Sequence, residues 1–163
     1  GRLDDIAAHI RPGDLLVVSF GHNDANRAKA ERYVPADAFG ESLRPFWDAA
    51  RRHGAVCIFA SPVAMREFDE DSVCHPSFAA YREAMRAFAA EVGAPFIDLG
   101  AATAAANTAF GAERCKARYM WVGAKQDNAH QQNAGACRTA QAFVQQLLQD
   151  TTPALDVLRA NFK

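Results

Sequence analysis

The sequence lacks the features that would assign the protein to a membrane, a nucleic acid or a structural metal. No apolar run approaches the roughly 20 residues that a membrane helix needs. Eighteen basic residues stand against nineteen acidic ones, so no excess of one charge can attract a nucleic acid or an anionic membrane. No CxxC pair or Cys/His cluster has zinc spacing. We therefore predict no nucleic-acid partner, no membrane partner and no metal.

The composition is that of a globular protein. Half of the 163 residues are hydrophobic, which is enough to bury one core, and we predict a single domain over residues 1–163. Cys57 lies within an apolar run and is predicted to be buried, whereas Cys74, Cys115 and Cys137 have more polar surroundings. Four cysteines permit three full disulfide pairings, and the sequence favours none of them.

Hydrophobic patterning indicates an α/β fold. The apolar runs at residues 15–20, 56–60 and 95–99 lack polar alternation and are typical of buried parallel strands. Helical spacing of apolar residues lies before, between and after these runs, at residues 3–10, 39–50, 78–92 and 136–147. The alternation predicts a parallel sheet with helices on both sides. Active sites of such sheets lie beyond the carboxyl ends of the strands.

Local signals predict where several elements begin and end. Ser77 is a candidate N-cap of the third helix, and Gly93 is its candidate C-cap. Pro45 removes a backbone donor, so it should bend or split the second helix near Leu43. Asp98, at a strand end, is predicted to cap a loop.

A first polar cluster, Gly21-His22-Asn23-Asp24, directly follows the first apolar run. A glycine lets the chain turn sharply there, and the NH₂ group of Asn23 could donate to a developing oxyanion. The alternative is that the Asn-Asp pair only forms a turn. The cluster alone leaves both interpretations open.

A second cluster, Asp127-Asn128-Ala129-His130, lies just ahead of the last helix. Two intervening residues bring Asp127 close enough in a turn to hold one ring nitrogen of His130, which leaves the other nitrogen for a substrate. That arrangement orients a general base. The alternative is an Asp at a helix entry and a solvated His.

Together with two further segments, these clusters resemble the SGNH (GDSL-like) hydrolases, and most closely their rhamnogalacturonan acetylesterase-like branch. The matching segments, in the order of that branch, are residues 13–24 (GDLLVVSFGHND), 61–68 (SPVAMREF), 97–99 (IDL) and 127–136 (DNAHQQNAGA). Ala129 and Gln131 depart from the branch, which usually has Thr and Phe there. The resemblance runs over nearly the whole chain.

The resemblance implies a three-layer α/β/α, flavodoxin-like fold whose parallel sheet lacks its first two strands in this chain. It implies a serine-type esterase that removes acetyl groups from a polysaccharide or oligosaccharide, without a cofactor. Asp127 and His130 would be catalytic, and Asn23 would be an oxyanion-hole donor. His22, Arg66 and Trp121 are candidates for substrate binding. Family analogy also suggests a secreted or periplasmic protein, although the first residues show no signal-peptide core.

The nucleophilic serine of the family is expected on a block that would precede residue 1. Ser19 is interpreted as lying inside the first strand, and Ser61 matches a family position that is not the nucleophile. Without its first two strands the sheet would present an apolar edge. The missing segment is therefore expected from a second chain, a cleaved precursor or a neighbouring protomer.

Other interpretations stay open at this stage. Arg66 could grip a sugar hydroxyl or a carboxylate, or could form an ordinary surface ion pair. Trp121 could stack on a sugar ring or belong to the core. The chain as a whole could be a non-catalytic carbohydrate-binding or structural relic. A metal-dependent hydrolase that uses His22, Asp24, Asp127 and His130 is a third alternative.

Overall fold

The computed structural model describes residues 2–160, which form two compact units. The first unit contains the chain up to Ser61 together with Phe78–Ile97 and Thr152–Ala154. The second contains Pro62–Ser77, Asp98–Thr151 and the chain from Leu155 onward. The single domain predicted from length and composition stays a prediction. Within residues 2–160, no helix combines the length and apolar character that crossing a membrane demands.

The first unit is a parallel sheet with helices. Its elements are α1 (Arg2–Ala7), β1 (Leu15–Val18), α2 (Ala36–Ser42), α3 (Arg44–Arg52), β2 (Val56–Ala60), α4 (Ala79–Val92) and β3 (Phe96–Ile97). The strand order is β1-β2-β3 and both pairings are parallel, with Val18 opposite Phe59 and Phe59 opposite Phe96. The predicted α/β fold with a parallel sheet is therefore confirmed.

Aromatic and aliphatic side chains fill the space between one face of this sheet and its helices. Val18 of β1, Phe59 of β2 and Phe88 of α4 are all buried in one cluster, and the rings of Phe59 and Phe88 meet edge to face at 5.5 Å. Burying such a side chain stabilises the fold by about 1.5–3 kcal/mol. Leu15 and Val17 alternate to the other face of β1, where 39% and 47% of each remain exposed.

The predicted element boundaries are mostly confirmed. Leu43 ends α2 and begins α3, so the helix is split where Pro45 was expected to split it. Gly93 is the C-cap of α4, with the left-handed φ of 69° that glycine tolerates best. The N-cap predicted at Ser77 is wrong. Phe78 holds that position with φ of 55°, and the hydroxyl of Ser77 instead accepts the N–H of Met65 at 2.8 Å.

The second unit is mostly helical and carries one antiparallel hairpin. Its elements are α5 (Leu99–Phe110), α6 (Ala112–Cys115), a 3₁₀ turn (Lys116–Arg118), β4 (Tyr119–Val122), β5 (Lys125–Gln131) and α7 (Asn133–Gln149). Asp98 was predicted to cap a loop, but it is the N-cap of α5, where its carboxylate accepts the N–H of Ala101 at 3.3 Å. A 3₁₀ turn (Pro153–Leu155) and α8 (Asp156–Ala160) follow along the chain.

A buried polar network fixes the segment at residues 62–77 to this unit. The hydroxyl of Tyr119 donates to the carbonyl oxygen of Ala64 at 2.6 Å and accepts the side-chain N–H of Asn107 at 2.9 Å. The hydroxyl of Thr103 accepts the N–H of Ala64 at 2.9 Å. Each of these groups is buried and hydrogen-bonded, so the network holds the segment in one position.

All four cysteines have free thiols, so none of the three pairings forms in this structure. Cys57 is fully buried beneath the first unit's helices, as predicted, and burial raises the pKa of its thiol to about 12. Cys74 and Cys115 are also buried, with thiols that donate to the carbonyl oxygens of Met65 and Asn107. Cys137 is exposed.

Gly135 is required where α7 passes closest to the 3₁₀ turn. A Cβ atom there would lie 2.2 Å from the carbonyl oxygen of Arg118, which accepts the N–H of Gln132 at the start of α7. We expect Gly135→Ala to lower the free energy of unfolding by about 1–3 kcal/mol, because backbone atoms must move to admit the methyl group. Denaturant titration measures this loss. Gly40→Ala in α2, with its nearest atom at 3.2 Å, is the control and should lose less; equal losses would contradict the steric explanation.

Candidate functional site

A tight turn follows β1 in the first unit. Gly21 has φ of 125°, a backbone conformation that other residues rarely adopt, and its N–H donates to the carboxylate of Asp24 at 2.9 Å. The hydroxyl of Tyr81 donates to the carbonyl oxygen of Val34 at 2.7 Å, and the N–H of Val34 donates to the carbonyl oxygen of Asp24. The carboxylate of Asp24 thus closes the turn, and α4 anchors the loop that follows it.

Asn23 and His22 occupy this turn differently. Asn23 is exposed, and its backbone carbonyl accepts the N–H of Asn26 while the carboxylate of Asp24 closes the turn. Asn23 thus lies exposed in the turn that follows β1, and its role as an oxyanion donor stays a prediction. His22 is half-buried, and its ring meets that of Phe78 edge to face at 4.9 Å.

The second cluster lies on a bulge of β5 in the second unit. Met120 pairs with Asp127, but the next residue back on β4, Tyr119, pairs with Gln131. Asn128, Ala129 and His130 therefore have no residue opposite them on β4, and the strand bulges outward there. Bulges of this kind re-aim side chains and are frequent next to active sites. The sequence pattern predicted a turn at this point, and the hairpin was not expected from it.

Asp127 and His130 form a hydrogen-bonded pair on this bulge. One carboxylate oxygen of Asp127 accepts Nδ1 of His130 at 2.8 Å. The other oxygen accepts the backbone N–H groups of Ala129 and His130, each at 2.9 Å. The helix-entry alternative is wrong, because Gln132 is the N-cap of α7. The side chain of Asp127 is 19% exposed and that of His130 is 80% exposed.

The hydrogen bonds of Asp127 decide which nitrogen of His130 carries the proton. The backbone N–H of His130, then that of Ala129, hold the pKa of the Asp127 carboxyl well below its usual range. An ionised carboxylate can only accept, so in the neutral ring the proton lies on Nδ1 and the lone pair on Nε2. With the ring largely exposed, Nε2 can take a proton from another group, as a general base must.

Arg66 lies beside this bulge in the same unit. Its guanidinium donates to the carbonyl oxygen of Ala112 through Nε at 3.1 Å and Nη2 at 2.9 Å, and to Oδ1 of Asn128 through Nη1 at 3.3 Å. Only 11% of the side chain is exposed, and the nearest carboxylate, that of Glu113, is 3.9 Å away. The ion pair considered for Arg66 is therefore present, with Glu113 at 3.9 Å, although the side chain of Arg66 is largely buried and its hydrogen bonds go to neutral oxygens. Its contact with a substrate stays a prediction.

Trp121 of β4 also contacts the bulge. Its indole N–H donates to Oδ1 of Asn128 at 2.9 Å, and the cationic groups of Arg66 and Lys116 each lie 4.7 Å from the ring centre. Cations placed over an indole face stabilise it in one orientation. These contacts fix Trp121 beside the Asp127–His130 pair, whereas stacking on a sugar stays a prediction.

Comparison with known proteins identifies the family of this chain. The profile of the GDSL-like lipase/acylhydrolase family matches residues 1–136. Rhamnogalacturonan acetylesterase RhgT of Bacillus subtilis (strain 168) is 34% identical over 167 residues, covering 97% of this chain and 71% of that protein. The chain belongs to the GDSL-like lipase/acylhydrolase family.

Two further relatives agree with membership of the GDSL-like family. A probable rhamnogalacturonan acetylesterase of the same organism, YesY, is 35% identical over 137 residues, which cover 83% of this chain and 63% of that protein. A crystal structure of the Bacillus subtilis protein YxiM superposes with a TM-score of 0.83 at 28% identity over 94% of this chain. The chain spans only 42% of that solved chain, 71% of RhgT and 63% of YesY.

Within this GDSL-like chain, the predicted site residues fall into two groups. The second unit brings Asp127, His130, Arg66 and Trp121 together, and the first unit carries His22 and Asn23 at the end of β1. Asn128 accepts hydrogen bonds from both Arg66 and Trp121, although no role was predicted for it from the sequence. Its position inside the DNAH motif was the only sequence signal. Among residues 2–160, no group of three or more His, Cys, Asp or Glu side chains is arranged to hold a metal ion.

Proposed function

We propose that this chain supplies the histidine, the aspartate and the oxyanion-hole asparagine of a serine-type carbohydrate esterase. The substrate is an acetylated polysaccharide or oligosaccharide, and the nucleophilic serine lies on a segment outside the 163 residues. The hydrogen bond between Asp127 and His130 carries the proposal, because it holds an exposed imidazole as a general base. The names of RhgT, a rhamnogalacturonan acetylesterase, and YesY, a probable one, support acetyl removal as the reaction.

The proposed reaction uses the side chains in sequence. The serine oxygen attacks the acetyl carbonyl carbon while Nε2 of His130 takes the hydroxyl proton, and Asp127 stabilises the imidazolium. The amide of Asn23 donates to the tetrahedral oxyanion, a contribution of about 3 kcal/mol to the transition state. His130 returns the proton to the departing sugar oxygen. Water, deprotonated by His130, then releases acetate and restores the serine; no metal or cofactor takes part.

The serine-bearing segment needs a place to join the sheet, and we propose the edge of β1. Among the described residues β1 is an edge strand with an unpaired backbone edge, and the exposed side chains of Leu15 and Val17 lie on one of its faces beside that edge. A groove of about 490 Å³ between α1 and β1, lined in part by Ile6 and Ile10, borders the strand. A paired strand would cover this surface, whether it comes from a second chain, a neighbouring protomer or the same longer chain. We extend the proposal to a secreted or periplasmic location, where polysaccharide is encountered.

Covalent labelling tests the proposal against a non-catalytic relic. A fluorophosphonate should modify the protein that contains this chain together with the serine segment, and peptide mapping should place the label outside residues 1–163. A relic would not be labelled. Ser19 is the strongest competitor within the chain, because it is exposed one residue beyond β1 and not inside the strand as first interpreted. A label on Ser19 or on the fully buried Ser61 would refute the assignment of the nucleophile.

A further inference from the structure

The bulge that carries the Asp127–His130 pair needs support from outside the β4–β5 ladder. Asn128, Ala129 and His130 have no residue opposite them on β4, so ladder hydrogen bonds do not fix these three positions. The carboxylate of Asp127 binds the N–H groups of Ala129 and His130, which shapes the bulge internally. These bonds last only while residues 128–130 keep their place relative to Asp127, which is itself paired with Met120 on the ladder.

Asn128 ties the bulge to its surroundings through three hydrogen bonds. Its backbone carbonyl accepts the N–H of Arg66 at 2.8 Å. Its side-chain Oδ1 accepts the indole N–H of Trp121 at 2.9 Å and Nη1 of Arg66 at 3.3 Å. Both oxygens of Asn128 are therefore held by residues outside the bulge, and Arg66 contacts each of them.

Arg66 is itself held rigidly. Two of its guanidinium nitrogens donate to the carbonyl oxygen of Ala112, and the cation lies 4.7 Å from the centre of the Trp121 ring and 5.9 Å from that of Phe68. With 11% of the side chain exposed, Arg66 cannot move far, and its planar donors are directed at fixed protein oxygens. Because Arg66 is fixed in this way, its hydrogen bonds hold Asn128 in place relative to the segment at residues 62–77.

We propose that Arg66 and Asn128 form a clamp that positions the general base. The Arg66–Asn128 clamp fixes the bulge, and through it the direction in which Nε2 of His130 points. Neither residue is catalytic; both are positioning residues. The inference rests on the proposed esterase function. Because a displacement of about 1 Å at a reacting group can cost ~10²-fold in rate, the clamp acts on kcat more than on KM.

The test alters Asn128 and not Arg66, because loss of the guanidinium would leave the carbonyl of Ala112 without its donors. Asn128→Ala removes Oδ1 but keeps the backbone bond to Arg66, and Asn128→Asp keeps an oxygen that can accept from both donors. The matched control is Gln126→Ala, since Gln126 is an exposed residue of β5 that lies opposite Trp121. We expect Asn128→Ala to lower kcat ~10- to 100-fold with KM within about threefold. Asn128→Asp should recover most of the loss, and Gln126→Ala should be unaffected.

A second readout separates positioning from simple stabilisation. The ¹⁵N chemical shifts of the His130 ring, recorded where the ring is neutral, report which nitrogen carries the proton. Asn128→Ala should reduce the population with the proton on Nδ1, and Asn128→Asp should restore it. Unchanged kcat and unchanged shifts would overturn the proposal. The proposal would also be overturned if Asn128→Ala lowered the melting temperature but left kcat, calculated per titrated serine, unchanged. If the unaltered protein shows no esterase activity, the proposed function fails, and the ring shifts alone then decide whether the clamp exists.

Discussion

We expect His130→Ala to lower the turnover of an aryl acetate by about four to six orders of magnitude, because the serine then has no acceptor for its proton. The carboxylate of Asp127 holds Nδ1 of this imidazole at 2.8 Å, and the ring is open to solvent. The protein assayed must carry this chain together with its serine. Initial rates with p-nitrophenyl acetate measure the effect, and residual activity should resemble that of other enzymes that keep only an oxyanion hole.

The chain provides its own control for this experiment. His75 also binds a carboxylate, with Nε2 at 2.6 Å from Asp69, and this pair is exposed on the segment at residues 62–77. If a His–Asp contact alone created activity, His75→Ala would also lower turnover. We expect it to leave kcat unchanged. A His130→Ala variant with near-normal kcat, measured beside His75→Ala, would remove His130 from the mechanism.

The fold was predictable from the sequence wherever the hydrophobic pattern is typical of only one type of secondary structure. The runs that became β1 and β2 are apolar on both faces, and the helix split at Leu43 follows from the missing N–H of Pro45. The third run was harder to divide, because Leu99 is apolar yet begins α5 after the capping residue Asp98. Ser77 shows why a local sequence signal can fail to predict a helix boundary. A hydroxyl just before a helix predicts an N-cap, but here a backbone N–H from another segment binds it instead.

The site was predictable by residue type but not by geometry. The sequence spacing placed Asp127 near His130, and the hydrogen bond between them is present. The hairpin could not be predicted, since the residues of β5 (KQDNAHQ) show no alternation of apolar and polar side chains. The burial of Arg66 was also hidden, because a charged side chain among neutral acceptors leaves no signal in the sequence. The convergence of Asn23 and His130 on one substrate stays a prediction.

The three hydrogen bonds that Asp127 accepts explain why an amide should not replace its carboxylate. One oxygen accepts two backbone N–H groups, and the other accepts Nδ1 of His130. An asparagine has a single acceptor oxygen, and the two backbone donors retain it. Its NH₂ group then faces the ring and can bind only a lone pair on Nδ1. The proton of the neutral ring moves to Nε2, the atom that must be unprotonated to act as a base.

We therefore expect Asp127→Asn to lower kcat by about 10⁴-fold while the bulge keeps its shape, because the wrong tautomer is stabilised. Asp69→Asn, in the chain's other His–Asp pair, is the matched control and should leave kcat unchanged. The ¹⁵N shifts of the His130 ring should show the proton on Nε2 in the variant. If kcat stays within tenfold of the unaltered protein, or if the ring keeps its proton on Nδ1, Asp127 does not orient the base.

The dependence of stability on acid pH gives an independent check on Asp127, because the direction of the change can be predicted. The backbone N–H groups of His130 and Ala129 lower the pKa of this carboxyl in the folded protein, so its ionisation stabilises the fold above the unfolded value of about 3.9. That contribution is lost as the pH falls toward the lowered pKa. The melting temperature of the unaltered protein should therefore exceed that of Asp127→Asn most clearly above about pH 4, and the difference should shrink in stronger acid. A difference that grows on acidification would mean that the carboxylate is not held by these N–H groups, and the tautomer argument would lose its basis.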